Sequence, residues 1–196
     1  MNPGFVTSFV IGGLMLLSIL AYQMNMASST QETTLSTINQ YNLDNLVEIM
    51  SADFERIGFK DNNSNETFED PILAASDDEK LEFKISDTGA TIIWYADPND
   101  PVSSSSNQDD YYLYRIESGT TTSWFPVTYF QLTYKKFNDL TREWDVTADP
   151  TEATRVEVEV IIESQEPIRS KKSGQNSYHR TAWKKTFTPN NINKPW

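Results

Sequence analysis

The chain has 196 residues, no cysteine, one histidine, and 16 Lys+Arg against 28 Asp+Glu, a net charge of −12. The missing cysteines exclude disulfides, thiolate nucleophiles and cysteine-ligated zinc or iron–sulfur sites, and a lone histidine leaves little for a His-based metal site. The acidic balance argues against nucleic acid as a partner, since that affinity rests on Lys and Arg neutralising phosphates; 38% apolar residues suffice for a folded core.

Residues 1–27 read as a transmembrane anchor. Phe5 to Ala27 (FVTSFVIGGLMLLSILAYQMNMA) carries no charge, and about 20 such residues in a helix cross a bilayer core of about 30 Å. Thr7, Ser8 and Ser18 can bond their hydroxyls to backbone carbonyls one turn back, and Tyr22 suits the membrane interface. Gly12-Gly13 lets a second helix approach closely. A cleaved signal peptide would carry a basic start and a shorter apolar run of roughly 7–15 residues, and this segment has neither. With so short a stretch before the span, the expected arrangement is a single-pass membrane protein with an extracytoplasmic C-terminal domain.

Residues 28–58 read as an amphipathic continuation of the same helix. Leu35, Ile38, Leu46, Ile49, Met50, Phe54 and Ile57 fall on one stripe expected to pack on the domain, while Gln40, Asn42, Asn45, Glu48, Asp53 and Glu55 fill much of the rest. Gly58 suits the position just past the helix end. Ser28-Ser29-Thr30 and Thr33-Thr34 are weak helix formers that could break the rod near the membrane surface.

Residues 59–196 read as an extracytoplasmic β-rich domain with an antiparallel sheet of about five to seven strands. Leu81–Ser86 and Ala90–Tyr95 flank Asp87-Thr88-Gly89, a tight hairpin connection. Tyr111–Glu117 and Trp124–Tyr134 are aromatic and β-branched, separated by a turn beginning at Ser118-Gly119. Arg155–Glu163 alternates with Val156, Val158 and Val160 on one face, the period of a half-buried strand. His179–Thr188 forms the last strand, and 61–70, 97–110 and 166–177 read as loops. The fold class is therefore α+β: a long N-terminal helix packed on an antiparallel sheet domain.

Residues 165–196 hold seven basic residues against Glu166, a net of +6, so residues 1–164 carry −18. That division suits contact between the acidic body of one subunit and the basic end of another. No G-x-S-x-G, G-x-x-x-x-G-K-[ST], H-E-x-x-H or G-x-G-x-x-G occurs, so no catalytic residue is assigned and an enzyme is not expected. Among cofactors only calcium is worth weighing. Asp61, Asn63 and Asn65 have the spacing of a calcium loop, but Glu66 replaces its glycine and Ile72 its bidentate glutamate. Asp97, Asp100, Asp109 and Asp110 form a weak alternative ion-binding group.

The order of these segments resembles the type IV pilin-like proteins, and most of all the minor pilins and the larger minor pseudopilins of type II secretion systems. The resemblance is carried by an uncharged helix opening at Gly4-Phe5 and by an extension ending in DFERIGF (Asp53–Phe59). It continues in the strands ATIIWY, YYLYRIE, TYFQLTY and RVEVEVII and the closing FTPNN (Phe187–Asn191). It implies a structural subunit of a pilus or pseudopilus fibre at the cell surface or in the periplasm, with other pilin-like subunits as partners through the N-terminal helix and the bilayer as its surroundings. It also implies Gly4 and Phe5 as a candidate processing site for prepilin peptidase. Two features depart from the family pattern. Met1-Asn2-Pro3 brings no basic residue, and Phe9 stands where a glutamate is usual. Without that carboxylate, register along a fibre would come from apolar packing alone, which suits a minor or tip subunit; an anchored binding or adhesive domain using exposed tryptophans is the alternative.

Overall fold

The computed structural model describes residues 3–58, 70–85, 90–168 and 176–189. The Asp87-Thr88-Gly89 connection, the Asp61, Asn63 and Asn65 trio, the middle of the 166–177 loop and the end of FTPNN lie outside these residues.

Helix α1 runs unbroken from Pro3 to Glu55, 53 residues, and so spans about 80 Å at 1.5 Å per residue. The weak Ser/Thr stretch does not break it, because the hydroxyls turn back along the rod. Thr30 donates to the Met26 carbonyl at 2.9 Å, Thr33 to Ser29 at 3.0 Å, Thr34 to Thr30 at 2.9 Å and Thr37 to Thr33 at 2.9 Å. A hydroxyl that bonds the carbonyl four residues back no longer competes for local non-helical conformations. The helix stops where Gly58 takes φ +69° and donates its N–H to the Lys84 carbonyl at 3.2 Å.

Eight strands follow, in two antiparallel sheets of four rather than one sheet. The first contains β1 (Lys80–Lys84), β2 (Thr91–Pro101), β3 (Tyr111–Glu117) and β4 (Thr120–Val127) in that order. The second contains β5 (Tyr129–Asn138), β6 (Glu143–Val146), β7 (Arg155–Glu163) and β8 (Arg180–Phe187), ordered β6-β5-β7-β8. The segment Trp124–Tyr134, expected as one strand, is divided at Thr128, whose N–H donates to the Ile161 carbonyl at 2.9 Å. The chain changes sheets there. Pro126 sits on β4, an edge strand, where a missing N–H costs no ladder bond. Strand β6 was not anticipated; its four residues expose all but Trp144 and have no apolar alternation to reveal them. Strand β2 continues through the expected 97–110 loop as far as Pro101, with a register shift between Asp97 and Pro101.

Buried side chains of α1 and both sheets form one core. Val156, Val158 and Val160 point into it as their alternation indicated. The helical stripe differs from its sequence reading. Leu46, Met50, Phe54 and Ile57 are fully buried, Ile49 packs at the margin, and Leu35 is half-buried, but Ile38 is 49% exposed. Asn39 and Leu43 take the position assigned to Ile38, because burial begins only where the helix reaches β8; there the Asn39 amide donates to the His179 carbonyl at 2.7 Å. Phe54 meets Phe83 of β1 and Phe187 of β8, at ring-centroid distances of 6.0 and 4.8 Å, so the end of the helix wedges between the two sheets.

Candidate functional site

Two parts of one helix present opposite chemistry. From Val6 to Met26 the described large apolar side chains are exposed, including Phe9 at 78%, and the span from Val6 holds a window of mean hydropathy 1.7 with none of it buried. This helix is long and apolar enough to cross a membrane. Gly12 and Gly13 have no atom within 4 Å of where a Cβ would stand, so this face of the rod is open. Of the candidate processing site, Gly4 is exposed, and both Gly4 and Phe5 belong to the first turns of α1.

The other part ends in a buried ionic node. Asp53, placed by the sequence among the polar residues, is 3% exposed because it lies one turn after Met50 and one turn before Ile57 on the packed stripe. Arg115 of β3 grips it with both arms: Nε donates to Oδ2 at 2.6 Å and Nη2 to Oδ1 at 2.9 Å. Trp94 Nε1 donates to the same Oδ2 at 3.0 Å. The remaining Arg115 arm, Nη1, donates to Glu117 at 2.9 Å and to Thr122 at 2.6 Å. Hydrogen bonding to Asp53 raises the guanidinium pKa further, so the charge is held on. Paired and saturated with hydrogen bonds, the two charges escape most of the penalty of leaving water, and the bidentate geometry fixes the helix against the sheet in one orientation. Both partners were visible in outline. Arg115 shares strand parity with buried Leu113, and Trp94 with buried Ile92, so each had to face the core.

The four acidic residues considered for calcium do not converge. Among the described residues no three of His, Cys, Asp or Glu gather as a cation-binding group. Asp110 turns inward and is 1% exposed, accepting from Ser105 at 2.5 Å and from Asn107 at 3.2 Å. Asn107 also reaches Glu163 of β7 at 3.0 Å, which ties the β2–β3 connection to the second sheet. Burial pushes the Asp110 carboxyl up to about 6. Asp100 instead accepts from the Tyr114 hydroxyl, Asp97 caps the Asn99 N–H at 2.9 Å, and Asp109 remains exposed.

Two described residues of the basic end, Arg180 and Lys184, lie beside carboxylates of β7. Lys184 lies 2.9 Å from Glu157 and 3.3 Å from Glu159 on the neighbouring strand, Lys135 reaches Glu157 at 2.8 Å, and Arg180 approaches Glu163 at 3.9 Å. Hydrogen bonds from Lys135 and Lys184 hold the Glu157 carboxyl down at about 2. These charges close the second sheet on itself. Of the tryptophans, Trp94 is buried, Trp144 lies under the Arg155 guanidinium at 3.6 Å, and Trp183 packs at the core margin, leaving Trp124, 61% exposed, as the open one among the described residues. Comparison with protein-family models, with characterised proteins and with solved structures finds no match.

Proposed function

We propose that the protein is a structural subunit of a type IV pilus-like or type II secretion pseudopilus fibre, in a minor or tip position, anchored in the bilayer before assembly and carrying its β-rich domain outside the cytoplasm. The observation that carries this reading is a single unbroken helix whose first half is charge-free with its described large apolar side chains exposed, while its second half is packed into a β domain. An exposed apolar rod needs a cover, and lipid and neighbouring apolar helices can each supply one without rearranging the domain.

Because the chain has no cysteine, single cysteines introduced at Phe9, Leu16, Gln23 and Thr30 report helix–helix contact without background. The reading expects disulfide or bis-maleimide crosslinks to pilin-like partners in intact cells at these positions, and a mature N-terminus at Phe5. An intact Met1 with no crosslinked partner would replace it with the second reading, a membrane-anchored binding domain. That alternative draws on the exposed aromatic face of the first sheet around Trp124.

A further inference from the structure

The outward face of the first sheet carries an ordered row of aromatic rings. Cross-strand register aligns Tyr95 of β2 with Tyr114 of β3, and Tyr114 with Trp124 of β4. Three adjacent strands at about 4.8 Å spacing set this row across roughly 10 Å. Tyr112 joins it from the next row, with its ring 5.8 Å from that of Tyr114. Tyr95 is 36% exposed and Trp124 61%. None of these side chains is needed by the core, which takes Trp94, Leu113 and Phe125 from the opposite face of the same strands.

Carboxylates surround the row. Asp100 accepts from the Tyr114 hydroxyl, and Asp97 lies next to Tyr112 through strand register. Their field is felt at the phenols: the Tyr114 hydroxyl is pushed up to about 12, first by its bond to Asp100, and the Tyr95 hydroxyl is raised by burial and then by Asp97, Glu79 and Asp77. Among the described residues the only basic one in register with the row is Lys80, opposite Tyr95, and it is held 2.9 Å from Glu82. Strand β4, at the open edge, carries no charge at all across Thr120–Val127.

We propose that this face is a docking surface for a partner protein segment that presents lysine or arginine, with the cationic side chains laid over the Trp124 and Tyr95 rings and paired to Asp97 and Asp100. Aromatic faces attract cations through their quadrupole, and most strongly on tryptophan. A nearby cluster of carboxylates adds charge complementarity, and the same negative field repels nucleic acid and anionic lipid. The surface is independent of the membrane rod, so it serves a fibre subunit or a solitary anchored domain equally.

The test uses the full chain in nanodiscs of neutral lipid and a synthetic decapeptide of alternating lysine and serine, followed by tryptophan fluorescence and by amide shifts on β2–β4. Saturable binding is expected, weakening at least about tenfold in Trp124→Ala, as for a contact at the centre of an interface. A comparable loss is expected in the Asp97→Asn/Asp100→Asn pair and on raising salt from about 50 to about 500 mM. A double variant with the same net charge change placed elsewhere, Asp139→Asn/Glu143→Gln, controls for overall acidity and should bind as the parent does. Equal loss in that control, unchanged affinity in Trp124→Ala, or equal binding of the glutamate–serine peptide would each overturn the proposal. Shifts on β2–β4 caused by a neutral oligosaccharide and not by the lysine peptide would replace it with glycan recognition.

Discussion

Replacing Asp53 by alanine removes the acceptor for two Arg115 arms and for the Trp94 indole while leaving the guanidinium where it is. The Asp53 and Arg115 side chains are 4% and 11% exposed, so water cannot substitute freely for the lost carboxylate. Breaking such a pair by deleting one partner costs about 3–5 kcal/mol. At roughly 2–4 °C per kcal/mol for a domain of this size, the midpoint of thermal unfolding should fall by about 6–20 °C. Intrinsic tryptophan fluorescence during heating of the full chain in detergent reads this directly, since Trp94 is fully buried at the node. The informative partner is Asp53→Leu with Arg115→Met, which removes both charges together. Its loss should be smaller than that of Asp53→Ala alone, because no uncompensated charge stays behind. A fall under about 3 °C for Asp53→Ala, on the same scale of degrees per kcal/mol, or simple additivity in the double variant, would refute the view that the node locks helix to sheet.

Two carboxyls give the stability opposite pH dependences. The folded chain holds the Asp110 proton up to about pH 6 against an ordinary value of 3.8, so its stabilising effect is complete below about pH 4 and is lost as pH rises through 6. That loss is on the order of 2–3 kcal/mol, and Asp110→Asn should flatten the urea midpoint between pH 4 and 6. The Glu157 carboxyl is depressed to about 2, so its contribution is present above an ordinary value of 4.5 and disappears as pH falls towards 2; Glu157→Gln should remove that acid limb. Gly119 adopts φ +81° beside Ser118 at φ +50° in the two-residue β3–β4 turn, and a Cβ there would meet nothing within 4 Å. Gly119→Ala should therefore cost about 1–2 kcal/mol through backbone strain alone, seen as a shifted urea midpoint with an unchanged m-value.

The rod, its end at Gly58, the Ser118-Gly119 turn and the inward valines of β7 were legible because each rests on a local rule: period, propensity or the need for positive φ. Division into two sheets was not, since Trp124–Tyr134 is continuous in pattern and the change of partner at Thr128 is decided by a hydrogen bond to Ile161, 33 residues away. The node was half legible. Asp53 keeps helical phase with Met50 and Ile57, yet a carboxylate on an apolar stripe makes sense only once Arg115, 62 residues later, is known to face it. Charge pairing was not legible at all, because net charge counts side chains without asking which of them, like Lys184, already have a partner on the next strand.

Where α1 leaves the domain it becomes a lever. Burial begins at Asn39, so the 36 residues from Pro3 to Ile38 project about 54 Å from the last point of support, and a tilt of about 10° at that fulcrum carries the far end about 9 Å sideways. Small repacking around Phe54 and Asp53 is thus magnified at the tip. Conversely, the direction imposed on the rod by whatever surrounds it is delivered to the two sheets through the packed segment from Asn39 to Gly58, with the Asp53–Arg115 pair near its end.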